Sequence, residues 1–517
     1  MDHLVTQVAL AVFWGASAAL GLYGTHLVVL IVLYRRRVAR RRADQSSAIE
    51  AYHQSTPDSQ WPLVTTQIPL FNESEVAERV IEAAVRLDYP AGRHEIQVLD
   101  DSDDRTCDIV DRVVERWRSR GVHIRVIRRP ARTGFKAGAL ALGLQQAAGE
   151  VIAIFDADFV PPADFLRRMV PLLMRDDRTA CVQARWGHLN ADESWLTRAQ
   201  ALGLDTHFAI EQGARAWNGL IMNFNGTAGV WRKAAISDPA VGGWSGDTLT
   251  EDLDLSYRAQ LAGWKHDYCV DLVCPAELPG DIWAFKAQQR RWATGSVQVA
   301  RKLLPRIWRS PLRLPAKLEA TIHLTQHSSS VWMVVLALFA RPVLLALAGH
   351  PSVHAAMWAA WWVLLLAAFA PWFTYVYARH TLTGGWRQTS LLPRLVIIGI
   401  GLSLSNALAV VRGLFSSGGE FVRTPKSGSE GAVQRRGVYR ALQDRLWLAE
   451  LALGAYAAVC LMGYLGSGRW IFSAFLLLYT VSYLTVGWVS HPRLEPIKAS
   501  LQQGADRPLP VETGAVS

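Results

Sequence analysis

The chain has 517 residues, half of them apolar, and 54 lysines and arginines against 44 aspartates and glutamates give a formal net charge of +10. That length exceeds one ordinary core and suits a soluble domain joined to a membrane region. Five cysteines (Cys107, Cys181, Cys269, Cys274, Cys460) form no CxxC pair and no metal-ligand spacing, which excludes a disulfide framework. Part of the positive charge sits in one N-terminal cluster, so it does not argue for a nucleic-acid partner.

Residues 8–34 carry no formal charge, over a length greater than the roughly 20 residues that cross a bilayer. They are predicted to form a transmembrane helix. The basic cluster RRRVARRR at 35–42 follows the apolar run, and no small-residue cleavage site comes after it, so the segment reads as an anchor instead of a cleaved signal. By the positive-inside rule the next residues stay in the cytoplasm.

From about residue 61 to 295 the pattern becomes that of a soluble α/β domain. Apolar runs at 62–70, 95–101, 123–129 and 150–158 alternate with helical patterns at 75–87, 105–118 and 136–148, a Rossmann-like βαβ rhythm. Ligands of such sheets collect beyond the carboxyl ends of the strands. Asp100 and Asp101 close one predicted strand, and Asp156 and Asp158, in FDADF, close another.

Paired carboxylates suit a hard divalent cation, Mg²⁺ or Mn²⁺, and such an ion neutralises a departing diphosphate. One acid of the Asp-x-Asp is expected to serve the sugar or ribose and the other the metal. Lys136, opening a helix after Gly134, is placed to meet phosphate. The small-residue loop FNGTAGVWR at 224–232 allows close backbone approach to a ligand. In TLTEDLD, Thr250 is the expected N-cap, with Glu251, Asp252 and Asp254 in the first helical turn. Acids there favour the helix dipole, which accounts for Glu251 and Asp254. Asp252 is assigned as the base that deprotonates an attacking hydroxyl. In AFKAQQRRWATG, arginine forks suit a diphosphate, and the indole of Trp292 offers a platform to a sugar ring.

An aspartate, Asp-x-Asp, Thr-Glu-Asp and Gln-x-x-Arg-Trp occur in order here as LDD, DAD, TED and QQRRW. In this the chain resembles the membrane-bound family 2 glycosyltransferases of the cellulose-synthase-like branch, which includes cellulose, mannan and glucomannan synthases. The resemblance implies a GT-A (Rossmann-like) α/β catalytic domain with an α-helical transmembrane region. It also implies that Asp101, with Asp100 beside it, contacts the nucleotide base. Asp156 and Asp158 are then the donor and metal carboxylates, Asp252 the base, and Gln288, Arg291 and Trp292 the element that holds diphosphate and stacks the acceptor sugar. Glu251, Gly226 and Thr227 join Trp292 in the expected acceptor-binding set.

Beyond the soluble part, residues 301–327 read as an interfacial amphipathic segment, and apolar spans follow at about 328–349, 354–378, 391–415, 447–466 and 469–488. Basic stretches flank 391–415 on both sides, so that span is predicted to be an interfacial or re-entrant pair, leaving five crossing helices. FVRTPK resembles the gating loop of cellulose synthases at Phe421, Thr424 and Lys426, with Arg423 in place of valine.

The expected domains are an anchor (1–45), a cytoplasmic catalytic domain (46–300), the interfacial segment (301–327), a membrane region (328–490) with gating-type loop (416–440), and a disordered tail (491–517). The expected activity is a processive inverting transfer that builds a β-linked, β-1,4, glycan and threads it across the membrane. Its partners are GDP-mannose or UDP-glucose, the growing polysaccharide, the lipid bilayer and accessory export proteins. The expected location is a bacterial inner membrane. A transferase adding one sugar to a lipid, and a non-enzymatic transport or scaffold protein, are the alternatives.

Overall fold

The computed structural model describes residues 3–349, 354–384, 389–419 and 445–492. Its first helix, α1 (His3–Ser55), does not stop at the basic cluster but carries it into the soluble part. Arg41 forks onto both carboxylate oxygens of Asp267 at 2.8 Å, and Arg42 reaches Asp271 at 3.0 Å. The arginines expected to face the membrane surface therefore also dock the anchor onto the soluble domain, and the boundary expected at residue 45 falls inside one helix.

The soluble domain runs β1 (Val64–Leu70), α2 (Ala77–Val85), β2 (His94–Asp100), α3 (Thr106–Arg118), β3 (Ile124–Ile127), α4 (Phe135–Gln146), β4 (Val151–Ile154) and α5 (Phe165–Met174). It continues through β5 (Thr179–His188), α6 (Trp195–Thr206), a π-helical turn (His207–Glu211), α7 (Gln212–Ala216), β6 (Gly229–Arg232), α8 (Lys233–Ile236), α9 (Glu251–Leu261) and β7 (Lys265–Ala276). The strands form one sheet in the order β3-β2-β1-β4-β6-β5-β7. Its centre is buried on both faces; β4 has no exposed residue, which is why its sequence is a continuous apolar run instead of an alternating one.

β6 runs antiparallel to both neighbours while the other strands share one direction. The four runs read from the sequence are the parallel strands β1–β4, as the βαβ rhythm implies, and the antiparallel β6 lies outside them. The reversal has a consequence for the site: the loop entering β6 lies at the edge where the parallel strands exit. The glycine-rich loop before Gly229 thus meets the carboxyl end of β4.

After the sheet come α10 (Ile282–Arg309), α11 (Leu314–Thr325), α12 (Ser329–Gly349), α13 (His354–Thr383), α14 (Leu392–Gly401), α15 (Ser403–Phe415), α16 (Leu446–Gly466) and α17 (Trp470–Val489). Five described helices are long and apolar enough to cross a membrane: Thr6–Ser55, Leu314–Ala346, Ala359–Leu382, Leu446–Gly466 and Phe472–Val489. The second begins inside the stretch expected to be interfacial. α14 and α15 meet at a bend of 46°. Thr294 of α10 donates to the carbonyl of Ala409 at 3.1 Å, so α15 lies against the helix that bears QQRRW. The gating-type residues Phe421, Thr424 and Lys426, and the tail from residue 493, lie outside the described residues.

At the start of α10, Lys286 donates to Glu450 of α16 at 2.7 Å, with both side chains completely buried. Removing one partner of such a pair leaves a charge uncompensated. Lys286→Met is expected to cost about 3 kcal/mol, read as a lower thermal midpoint in detergent. The double variant Lys286→Met/Glu450→Leu should regain most of the loss, and a single variant as stable as the parent would contradict this.

Candidate active site

A cleft of about 170 Å³ opens at the carboxyl edge of the sheet, and Asp101, Lys136, Asp156, Asp158, Glu251, Asp252, Gln288, Arg291 and Trp292 all line it. They come from five separate segments, joined only by folding. Asp101 follows β2 and is paired with Arg129. The same guanidinium donates to the carbonyls of Thr133 and Phe135, at 2.7 and 2.9 Å, and so holds the turn that aims Lys136.

Asp156 and Asp158 leave β4 on either side of Ala157. The main-chain N–H of Asp156 donates to Thr227 Oγ1 at 2.9 Å, tying the glycine loop to the Asp-x-Asp. Lys136 Nζ donates to Asp156 at 2.5 Å and to the carbonyl of Gly226 at 2.9 Å, and lies 3.9 Å from Glu251. Burial acts to lower the Lys136 pKa, but Asp156 and Glu251 outweigh it and hold the ammonium charged.

α9 presents Asp252 from its first turn. Ser256 donates to the Asp252 carbonyl at 2.6 Å and accepts the N–H of Phe224 at 2.8 Å, clamping the helix to the glycine loop. Gly226 has φ +82°, and a Cβ there would stand 2.8 Å from Asp252 Oδ2, so only glycine gives this approach without strain. Burial raises the Asp252 pKa to about 7; repulsion from Glu251 adds to the shift and Lys136 opposes it. Arg291 faces four carboxylates across the cleft; burial lowers its pKa, while Glu251, Asp156, Asp252 and Asp158 act to raise it.

Three expected contacts are placed differently. Asp100 does not line the cleft. Its carboxylate is completely buried and paired with Arg128 at 2.8 Å, because alternation along β2 sends neighbouring side chains to opposite sides. Thr227 is fully buried and its hydroxyl accepts from Asp156, so it shapes the site from behind. Gly226 stands behind Asp252 without lining the cleft. Thr250 occupies the N-cap position of α9 without a side-chain capping bond; it packs instead where a Cβ on Gly295 would come within 2.6 Å of its Oγ1. Asp254 is buried between Arg258 and Lys302 and serves the structure, as expected.

Phe71, Glu73 and Arg132, which belong to none of the motifs above, line the cleft together with Asp101. Arg132 lies 3.4 Å from the centroid of the Phe71 ring, a cation-π pair in the cleft wall. Phe71, Asn72 and Glu73 directly follow β1, so the strand-exit rule that marks Asp101 and Asp156 applies to Phe71 and Glu73 as well.

A second cavity of about 420 Å³ adjoins the first, sharing Trp186, Leu204, Asn225, Thr250, Asp252 and Trp292 with it. It extends between Tyr375 of α13, Ile398 of α14 and Asn406 of α15. Its lining includes both aromatic rings, such as Trp186, Trp292 and Tyr375, and amides, such as Gln200, Gln289 and Asn406, a composition suited to sugar rings and their hydroxyls.

No group of three or more histidine, cysteine, aspartate or glutamate side chains that could hold a metal ion occurs among the described residues. Asp156 and Asp158 form a partial set, two hard oxygen donors on an anionic wall. That suits a Mg²⁺-like ion, which keeps waters and takes its remaining ligands from substrate phosphates.

A mixed sheet with acids at its carboxyl edge, and an arginine and indole on the following helix, defines a nucleotide-sugar-dependent glycosyltransferase of GT-A fold. The family model and the sequence relatives agree with this class. Residues 62–295 match the glycosyltransferase-like family 2. Glucomannan 4-beta-mannosyltransferase 2 of Arabidopsis thaliana is 35% identical over 509 residues, covering 94% of this chain and 92% of that protein. Glucomannan 4-beta-mannosyltransferase 1 of Oryza sativa subsp. japonica is 33% identical, covering 94% of each. Among solved structures, a mannosyltransferase from Pyrobaculum calidifontis in complex with GDP-Man and Mn2+ is 20% identical, with TM-score 0.49, over 77% of this chain and 99% of that one. The chain belongs to the family 2 glycosyltransferases, in their cellulose-synthase-like branch, and is a hexosyltransferase. The two relatives named first are plant proteins, and nothing in them supports the expected bacterial inner membrane.

Proposed function

We infer that the protein is a processive, inverting β-1,4-mannosyltransferase that draws on GDP-mannose and passes its product between the apolar helices. The observation that carries this reading is the second cavity, which begins at Asp252 and Trp292 and leads toward α13, α14 and α15. A single-sugar transferase needs no such extension. The names of the full-length relatives favour mannose over glucose, the choice the sequence left open.

In this reading Asp101 and Glu73 meet the base, while Lys136, Gln288 and Arg291 hold the diphosphate. Asp156 and Asp158 hold a divalent cation, which when bound neutralises charge on the leaving diphosphate. Trp292 stacks the terminal acceptor sugar. Asp252 takes the proton from the acceptor hydroxyl as that oxygen attacks the anomeric carbon from the face opposite the diphosphate, which inverts its configuration. The soluble domain then lies in the cytoplasm, with the anchor helix and the apolar helices in the membrane. The proposed domains keep the expected limits, except that the anchor extends to residue 55 and the catalytic domain begins after it.

Purified protein in lipid vesicles, supplied in turn with labelled GDP-mannose, GDP-glucose and UDP-glucose plus Mg²⁺ or Mn²⁺, tests the proposal by product size. Long alkali-stable mannan is the expected product; a single-sugar lipid would overturn processivity, and incorporation from UDP-glucose alone would overturn the donor.

The pH profile is a second check. A base must be ionised to act, and the Asp252 carboxyl titrates near 7. Below that pH, kcat/KM is expected to fall about tenfold per unit, and above it to level off. A profile flat from pH 5 to 8 would remove Asp252 from this role.

A further inference from the structure

Asn225 lies in the wall common to both cavities, one residue before the glycine that backs Asp252. The orientation of its amide follows from main-chain groups whose polarity is known. Gln183 Oε1 accepts the main-chain N–H of Asn225 at 3.1 Å, so its Nε2 is the atom that donates to Asn225 Oδ1 at 3.2 Å. Gln212 Nε2 donates to the carbonyl of Asn223 at 2.7 Å and to the same Oδ1 at 2.6 Å. With Oδ1 accepting twice, Nδ2 is the atom that faces His207 Nε2 at 3.3 Å.

A donor at that position needs an acceptor, so His207 Nε2 carries the lone pair and the imidazole proton sits on Nδ1, 3.3 Å from Glu211. Glu211 is buried, yet Arg215 at 3.0 Å and His207 hold its carboxyl ionised. Arg215 in turn pairs with Glu319 of α11 at 2.7 Å, and Glu319 lies 3.4 Å from His26 of α1. His207 and Glu211 begin and end the π-helical turn, a distortion frequent at functional sites. The relay from α1 and α11 thus ends on one amide.

We propose that Asn225 is an acceptor-positioning residue. The Nδ2 hydrogen not directed at His207 donates to a hydroxyl of the terminal acceptor hexose, and Arg215, Glu211 and His207 keep it aimed there. An unrestrained amide could turn over and present its oxygen. Here that would set Oδ1 against the His207 lone pair and the NH₂ group against two glutamine N–H groups, so the donor is fixed. The assignment rests on the proposed function, because the acceptor is taken to enter the second cavity.

Full-length protein in vesicles with GDP-mannose and added β-1,4-linked mannohexaose supplies the test. Asn225→Asp keeps the shape but replaces the donor with an acceptor. His207→Leu removes the relay, and His207→Gln retains an acceptor oxygen. The first two are expected to raise the acceptor KM about tenfold and to lower the ratio of transfer to donor hydrolysis about tenfold, one hydrogen bond's worth. His207→Gln should recover most of both. An acceptor KM and a partition ratio unmoved by Asn225→Asp would overturn the inference, whatever His207→Leu does to folding. A fall in kcat with the acceptor KM unchanged in both variants would also overturn it, leaving a purely structural role. A parent chain that turns over no donor would sink the proposed function itself, and this inference with it, whereas an active parent with unresponsive variants sinks only the inference.

Discussion

Asp252→Asn is expected to lower the transfer rate by about 10²–10⁴ while leaving donor affinity within about threefold of the parent. The amide has the same shape and still accepts the N–H of Leu253, a bond of 2.8 Å in the parent, so the first turn of α9 should keep its place. What it loses is the ability to take a proton as the acceptor oxygen attacks. Donor affinity should survive because Lys136, Asp156, Asp158 and Arg291 remain, and removing one negative charge from the wall does not oppose an anionic ligand. Rate and nucleotide titration on the same preparation check this. A variant with more than a tenth of the parental rate would move the proton to another group.

The second large effect is expected on removing the cation or its carboxylates. Chelation should abolish transfer, with Mn²⁺ or Mg²⁺ restoring it. Asp158→Asn should lower turnover by about 10²–10³, corresponding to roughly 3–4 kcal/mol of charge stabilisation at the leaving diphosphate. Asp156→Asn should act twice, because its carboxylate also holds Lys136. Without that partner the ammonium keeps Gly226 and Glu251, so the expected signature is a loss of donor affinity together with rate. Full activity of Asp158→Asn in chelator would contradict the assignment.

The parts of the site that could be read from the chain are those where local pattern and chemistry coincide. β2 and β4 are short buried runs with acids at or just past their ends, where a parallel sheet receives ligands. QQRRW is a contiguous motif on one helix, and its glutamine, second arginine and indole all reach the cleft. Side chains whose neighbours come from distant segments were not legible. Asp100 and Asp101 look alike in sequence, and only the strand's alternation sends one under Arg128 and the other into the cleft. β6 is four residues long, too short for a period, so the reversal it introduces left no signal. The length of α1 was hidden by its charges, since RRRVARRR reads as an end of the apolar run although arginine is a good helix former. The relay behind Asn225 joins residues more than a hundred positions apart, from His26 to Glu319, and no spacing rule addresses such a set.

The most direct measurement is a structure of the full-length protein in lipid with GDP-mannose, Mn²⁺ and the Asp252→Asn substitution to hold the substrates. The expected result is a diphosphate between Asp158 and Arg291, a hexose whose anomeric carbon faces residue 252, and glycan density stacked on Trp292 and continuing into the second cavity. A nucleotide bound away from the Asp156–Asp158 edge, or a second cavity filled by lipid with the glycan elsewhere, would contradict the account.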